Sequence, residues 1–299
     1  MKNLINNKMK DKVLVIIPFC CFMLAISCSI KQTQIEPDPI MTQNEPEPTT
    51  PCESIQPVWD GSRPDDSYQY PIVPGTEEWA SLTTSEEMVE ALQVPESVLK
   101  DMTTQAVVQA IWEHPMLFEI IFGSDGKYQF FFELLFSKNN AYLELVNRKD
   151  AGAALLDRLI LADPLPPFLS CETHILEIMI SQIDFLSQLG DCEKRKIAEI
   201  AFRNYELREN DEITPEDSGY MSGVGMITAS LLMGRTMFAD GYPPFVEAVN
   251  SNEELKYYLE GAYPAGYFPY IDYPLGFIYP LHNDIQQEII NFGNLFLNK

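Results

Sequence analysis

The sequence predicts an all-α fold, a single irregular bundle of roughly ten helices that follows a proline-rich tether. Two observations predict it. No stretch alternates apolar and polar residues in the sustained way that a half-buried strand requires. From residue 76 onward, segments with apolar residues at helical spacing are separated by short stretches of proline, glycine or capping residues. The domain, residues 76–299, is long enough to bury a sizeable core unaided.

Residues 1–27 have the pattern of a secretory signal peptide. Four lysines precede an apolar run over residues 13–26, and small residues lie before Cys28. The run is too short for a membrane span and has the flanks of a cleaved signal. Its ending, Leu24-Ala25-Ile26-Ser27-Cys28, resembles the lipobox of bacterial lipoproteins, although Ala25 stands where that motif usually has leucine. The resemblance implies export, a lipid on Cys28 and an outer-membrane location, with the membrane face left open.

The charge of the chain excludes some classes of partner. Its formal net charge is −24, and removal of residues 1–27, which hold four lysines and one aspartate, makes it −27. Such a field repels phosphate backbones, so nucleic acid is not a predicted partner. It favours solubility and cationic partners.

Residues 28–75 are predicted to form a disordered tether. Dense proline blocks helix formation, and few apolar residues offer a core. Within this segment, residues 68–73 are the candidate for docking on the domain. The prolines are Pro37, Pro39, Pro46, Pro48, Pro51, Pro57, Pro64, Pro71 and Pro74.

Capping residues and prolines delimit the predicted helices. Ser85 opens a helix with acids in its first turn, Pro95 ends it, and Thr103 or Thr104 caps the next one. The helices predicted after residue 94 cover residues 95–99, 105–113, 116–122, 128–136, 141–146, 151–161, 172–189, 192–208, 220–238, 244–250, 253–259 and 283–297.

The uncharged segment 218–234 is predicted to be a buried central helix. It is slightly short for a membrane span and contains four glycines. Gly219, Gly223, Ser230 and Gly234 share one stripe, which would let a neighbouring helix approach closely.

Three cysteines remain after the signal and the proposed anchor, namely Cys52, Cys171 and Cys192. An exported protein can form disulfides. However, Cys171 and Cys192 flank a predicted helix about 25 Å long, whereas a disulfide needs Cα atoms within about 7 Å. We therefore predict buried free thiols.

Few residues suggest chemistry. The histidines are His114, His174 and His282, and only His174 shares a helix face with an acid, Glu177. Metal sites that use a glutamate and a histidine on one helix face take such a pair from each of two helices, and only one pair occurs here. A surface or capping histidine is therefore the favoured interpretation, with no metal and no cofactor. Nucleophile elbows and phosphate loops are absent from the sequence. A non-enzymatic role is therefore favoured. The alternative is a glycan-directed hydrolase with an unrecognised pair of carboxylates.

The segment 257–282 holds half of the tyrosines and contains an internal echo, in which residues 263–268 are matched by residues 273–278. Its prolines prevent a helix, so the aromatic rings lie on a constrained loop. The slightly favoured interpretation is that the loop wraps the bundle and buries its rings. The alternative is that it stacks sugars or grips a protein. The candidate binding residues are Tyr263, Tyr267, Phe268, Tyr270, Tyr273, Phe277 and Tyr279.

Short motifs in the first third of the domain carry a family resemblance. They are Pro74-Gly-Thr-Glu-Glu-Trp79-Ala, Gln93-Val-Pro95-Glu, Met102-Thr-Thr104, His114-Pro115 and Arg148-Lys-Asp150-Ala. They resemble a group of uncharacterised exported lipoproteins from Bacteroidota. The resemblance implies an envelope-associated helical protein and no particular activity. With the tyrosine segment, it leads us to expect a lipid-anchored module that binds a glycan or an envelope protein.

Overall fold

The computed structural model describes residues 52, 54–117, 128–162, 171–210, 219–260 and 283–299. Within these ranges the regular secondary structure is helical and there is no strand, which confirms the predicted all-α class. Two compact units divide the described residues. The first holds residues 75–91, and the second holds residues 52–74 and everything from residue 92 onward.

The helices match most of the predicted segments to within one or two residues. In the first part of the chain they are α1 (Glu77–Ser81), α2 (Ser85–Ala91), α3 (Glu96–Leu99), α4 (Thr104–Trp112), α5 (Tyr128–Phe136), α6 (Asn140–Val146) and α7 (Ala151–Ala162). In the second part they are α8 (Cys171–Ile180), α9 (Ile183–Leu186), α10 (Asp191–Glu209), α11 (Gly219–Asp240), α12 (Pro243–Ser251), α13 (Glu253–Glu260) and α14 (Asn283–Leu297).

The first unit is held locally by helix caps. Thr76 caps α1 by accepting a hydrogen bond from the Trp79 amide. At the start of α2, a carboxylate oxygen of Glu87 accepts from the amides of Thr83 and Thr84, and the Thr84 hydroxyl accepts from the Glu87 amide. These donors lower the pKa of the Glu87 carboxyl. The reciprocal bonds satisfy amides that a helix start would otherwise leave unpaired.

Helix α11 is the centre of the second unit. It packs against α8, α10 and α14, and it also contacts α12 and α13. Leu232, Met233 and Met237 on α11 are fully buried, as the prediction of a central helix requires. None of the helices in the described ranges has both the length and the apolar character needed to cross a membrane.

The predicted stripe of small residues on α11 accounts for one close helix contact. A Cβ atom at Gly234 would lie 2.6 Å from a methyl carbon of Leu259 on α13, so any larger residue would require the Leu259 side chain to move. Ser230, one turn earlier on α11, forms a hydrogen bond with Tyr258, which also lies on α13. The side-chain surroundings of Gly219 and Gly223 lie outside the described residues.

The prediction of one continuous helix over residues 172–189 is wrong. Helix α8 ends at Ile180, and Gln182 adopts an extended backbone before α9 begins. The side chains of Ser181 and Gln182 both donate to the carbonyl of Ile178. This bonding satisfies a carbonyl that the helix end leaves open, so the chain can turn there.

The prediction of free thiols is wrong for two of the three cysteines. Cys52 and Cys192 form a disulfide with a Cα–Cα distance of 5.4 Å across 140 residues of sequence. The pairing of Cys171 with Cys192, which helix geometry disfavours, does not form. Cys52 lies in the predicted tether, where no local pattern indicates which helix it contacts.

Residues 52–74, which we call the strap, belong to the second unit although the predicted tether runs to residue 75. The Asp157 carboxylate on α7 accepts hydrogen bonds from the amides of Val58 and Trp59, at 3.1 and 2.9 Å. The neighbouring Arg158 guanidinium lies 5.4 Å from the Trp59 ring and 5.1 Å from the Trp112 ring. The start of the strap is therefore fixed on α7 by charge-assisted and cation–π contacts, and Arg158 also links α7 to the end of α4.

The later part of the strap contacts both ends of α4. Asp66 accepts from the amide of Thr103, the residue that caps α4, at 2.6 Å. At the other end Arg63 pairs with Glu113. Tyr70, in the segment predicted to dock, is 7% exposed, and its ring lies edge-on to His114.

Candidate functional site

The predicted binding residues and the predicted lipidation site lie outside the described residues. They are Cys28, Tyr263, Tyr267, Phe268, Tyr270, Tyr273, Phe277 and Tyr279. His282 lies outside them as well. The structure does describe the two helices that precede and follow the tyrosine-rich segment 261–282.

Both of these flanking helices rest on α11. The buried Tyr258 of α13 contacts the Ser230 hydroxyl at 2.5 Å and donates to the Ile227 carbonyl at 3.2 Å. Its burial raises the pKa of the phenol, so the ring stays neutral. On the other side, Ile289 of α14 is fully buried against the same stretch of α11 near Gly234. The helices on both sides of the segment are therefore fixed on α11.

A buried polar cluster crosses the core between α8, α10 and α11. We call it the polar seam, and its members are His174, Glu177, Asn204, Arg208, Gly225 and Thr228. His174 was predicted to be a surface or capping histidine, and that prediction is wrong, because its exposed fraction is 0%. The reason is that α8 is surrounded, so that even its polar face meets other helices.

Glu177 is the acceptor at the centre of the polar seam. One carboxylate oxygen accepts from the Asn204 amide at 2.8 Å. The other accepts from Arg208 at 2.8 Å and from the Thr228 hydroxyl at 2.5 Å. Since the carboxylate is fully buried and its charge is paired, these bonds offset the cost of removing it from water. They also leave it poorly suited to act as a general base.

Arg208 reaches Glu177 only because residue 225 is a glycine. The same guanidinium nitrogen that binds Glu177 also donates to the Gly225 carbonyl at 2.5 Å. A Cβ atom at Gly225 would lie 2.6 Å from Cδ of Arg208 and 2.8 Å from Nε2 of His174. The sequence signal that could have revealed the seam is Glu177 itself, a lone acid between Leu176 and Ile178.

A second, partly buried arginine joins four helices at the other end of α8. Arg235 of α11 donates to the Leu259 carbonyl at 2.8 Å, and also to Gln129 of α5 and Ser181 after α8. Burial lowers the pKa of Arg235 to about 10, so the guanidinium remains charged at neutral pH. Its contact with Leu259 fixes the end of α13 directly before the tyrosine-rich segment.

In the described residues, the buried carboxylates bind separate parts of the protein. Asp157 and Glu177 are the buried carboxylates among them. Asp157 binds the amides of the strap, and Glu177 binds the seam. Within the described ranges there is also no group of three histidine, cysteine or acidic side chains that could hold a metal ion. Each buried carboxylate therefore has a structural partner of its own.

A shallow surface groove of about 320 Å³ runs along the outer face of α14. Its lining is apolar toward Phe292 and Leu295 and acidic toward Asp284 and Glu288. It begins two residues after the end of the tyrosine-rich segment. The side chains that line it are Asp284, Gln287, Glu288, Asn291, Phe292 and Leu295.

Comparison of the chain with protein-family models, with curated proteins and with solved structures finds no match. The resemblance to exported lipoproteins of Bacteroidota stays a prediction.

Breaking the central ion pair should strongly destabilise the fold. We expect Glu177→Gln and Arg208→Met each to lower the free energy of unfolding by about 3–5 kcal/mol, because each leaves one buried charge unpaired. The double variant should lose less free energy of unfolding than the sum of the losses of the two single variants. Urea denaturation of all three variants measures this coupling.

The matched control for this cycle is the exposed pair of Glu96 and Lys100, whose charged atoms are 2.6 Å apart. Substituting either residue by alanine should leave the urea midpoint unchanged, since water screens the pair. If the seam variants behaved like these controls, the seam would have no part in stability.

His114 should make the fold sensitive to acid. Burial lowers its pKa to about 4, below the ordinary value of about 6.5, so the unfolded chain binds a proton more readily than the folded one. The contribution of His114 to the free energy of unfolding is fully present above pH 6.5. It falls by about 3 kcal/mol as the pH drops toward 4. His114→Asn retains an acceptor for the Met116 amide but does not titrate. Urea midpoints from pH 7 to pH 4 should fall less steeply for this variant, and equal slopes would contradict the assignment.

Proposed function

We propose that the chain is an exported envelope protein, anchored by a lipid on Cys28, that acts as a non-enzymatic binding module through its tyrosine-rich segment. The observation that carries this proposal is the disulfide between Cys52 and Cys192. Disulfides form and persist in oxidising compartments outside the cytosol and are rare inside it. The covalent link agrees with the secretory pattern of residues 1–27 and with the lipobox-like sequence before Cys28.

The position of the disulfide suits a membrane anchor. Cys28 and Cys52 are separated by 24 residues, a stretch that spans at most about 80 Å when fully extended. The disulfide attaches the end of this stretch to α10. The resemblance to lipoproteins of Bacteroidota favours the outer membrane, on either of its faces.

Three features support binding through the tyrosine-rich segment. Tyrosine rings on a proline-constrained loop offer large contact area at low entropic cost. The helices on both sides of the segment are fixed on α11, through Tyr258 and Ile289. The groove on α14 begins two residues after the segment in sequence and offers an apolar and acidic surface. We propose a glycan or an envelope protein as the partner, and the acidic charge favours a partner with basic groups.

Removal of the anchoring thiol should release the protein from the membrane. We expect Cys28→Ala to move the exported chain from the membrane fraction to the soluble fraction, because the protein would no longer carry a lipid. Fractionation followed by immunoblotting measures the shift. Cys171→Ala is the control and should stay with the membrane. A wild-type protein found in the soluble fraction would exclude anchoring through this residue.

Chemical labelling of tyrosines in the folded protein tests whether the segment is an accessible surface. Two neighbouring residues calibrate the experiment, since Tyr257 is 42% exposed and Tyr258 is 2% exposed. We expect Tyr263, Tyr267 and Tyr273 to react at the rate of Tyr257. Peptide mass spectrometry reads out each site.

Substitution of the same three tyrosines by alanine should then weaken binding to isolated envelope glycans or envelope proteins at least tenfold, with an unchanged urea midpoint. Labelling at the slow rate of Tyr258 would instead mean that the rings are buried. In that case the binding proposal fails, whatever the outcome for Cys28.

A further inference from the structure

We propose that the Cys52–Cys192 disulfide directs tension from the N-terminal chain into α10, so that the strap is not peeled from the helices that it covers. The proposal rests on the proposed function for the source of the tension, which is a lipid before residue 52 and a bound partner after residue 192. The geometry of the strap and of α10 carries the rest of the argument.

The strap alone would resist a pull poorly. Its contacts follow one another along the chain, from Trp59 on Asp157, through Arg63 on Glu113 and Asp66 on Thr103, to Tyr70 beside His114. A force applied at residue 52 would load these contacts one after another. Each is a small group of hydrogen bonds or ring contacts, and contacts that are loaded one at a time do not share the force, so each breaks on its own.

Helix α10 is a much firmer attachment. It has 19 residues, and Cys192 is the second of them. Its inner face, which includes Ile197 and Ala201, is buried, and the helix packs against α11. Its other end holds Arg208 of the polar seam. A pull at Cys192 therefore acts on a long helix that is packed in the core.

The covalent link also removes the strap from the path of the force. The disulfide bridges 140 residues, so tension between a point before residue 52 and a point after residue 192 crosses the sulfur–sulfur bond. The tyrosine-rich segment lies after residue 192. Residues 53–191, which include the strap and helices α1 to α9, carry no tension along the chain in this arrangement.

Single-molecule pulling on the full mature chain, with handles at residue 29 and at Lys299, tests the proposal. In Cys52→Ser/Cys192→Ser we expect an early extension at low force, of at most about 80 Å for residues 52–74, before the main unfolding event. The oxidised wild-type protein should show no such step. Cys171→Ser is the matched control and should behave as wild type.

A second variant identifies the early step as release of the strap. Asp157→Asn replaces the charged acceptor of the Val58 and Trp59 amides with a neutral one. It should lower the force of the early step by at least a quarter when the cysteines are absent. It should have no effect on the first event of the oxidised protein. If the double serine variant does not fold, reduction of the folded wild-type protein in the instrument replaces it.

Two results would overturn the proposal. One is a protein without the disulfide whose strap holds until the main unfolding event, and the other is an oxidised protein that shows the early step. The proposed function is tested separately by membrane fractionation, which does not depend on the pulling experiment. If the pulling experiment gives the expected result but the protein is not anchored in the membrane, the force path through the disulfide stands. The lipid is then not the source of the tension.

Discussion

The contact between Glu177 and Arg208 is the constraint on which the rest of the structure depends. It joins α8 to α10, and through Thr228 and Gly225 it joins both to α11. Because a buried ion pair is stable only when its remaining hydrogen bonds are made, it fixes the register of three helices together. The helices that pack on α11, including the two that flank the tyrosine-rich segment, are positioned by this arrangement.

The strap shows a different way of using polar contacts. A proline-rich segment cannot contribute a helix, so it binds through its backbone amides, which Asp157 accepts, and through isolated aromatic rings such as Trp59 and Tyr70. Such a segment is held by few groups. A covalent link at its first residue makes its position independent of their individual strengths, and this suits a chain that we propose is held from its N-terminal end.

In the proposed function, the packed helices of the second unit act as a scaffold with two points of attachment. Tyr258 and Arg235 hold the helix that precedes the tyrosine-rich segment, while Cys52 attaches the start of the strap to α10. A scaffold with a dense core and peripheral attachment points is typical of proteins that present a binding loop. The buried charges of the polar seam belong to the scaffold, because each donor on Glu177 comes from the protein itself.

The sequence by itself determined the helical class and most helix ends, because capping residues such as Thr103 and apolar spacing act within a few residues. It did not determine the break at Gln182, the burial of His174 or the partner of Cys52. Each of these depends on groups far apart in the chain, including a bridge of 140 residues, and only the tertiary structure decides which of them meet. The hydrogen-bond partners of a buried polar group such as Glu177 come from whichever helices surround it, and the local sequence pattern does not indicate which helices these are.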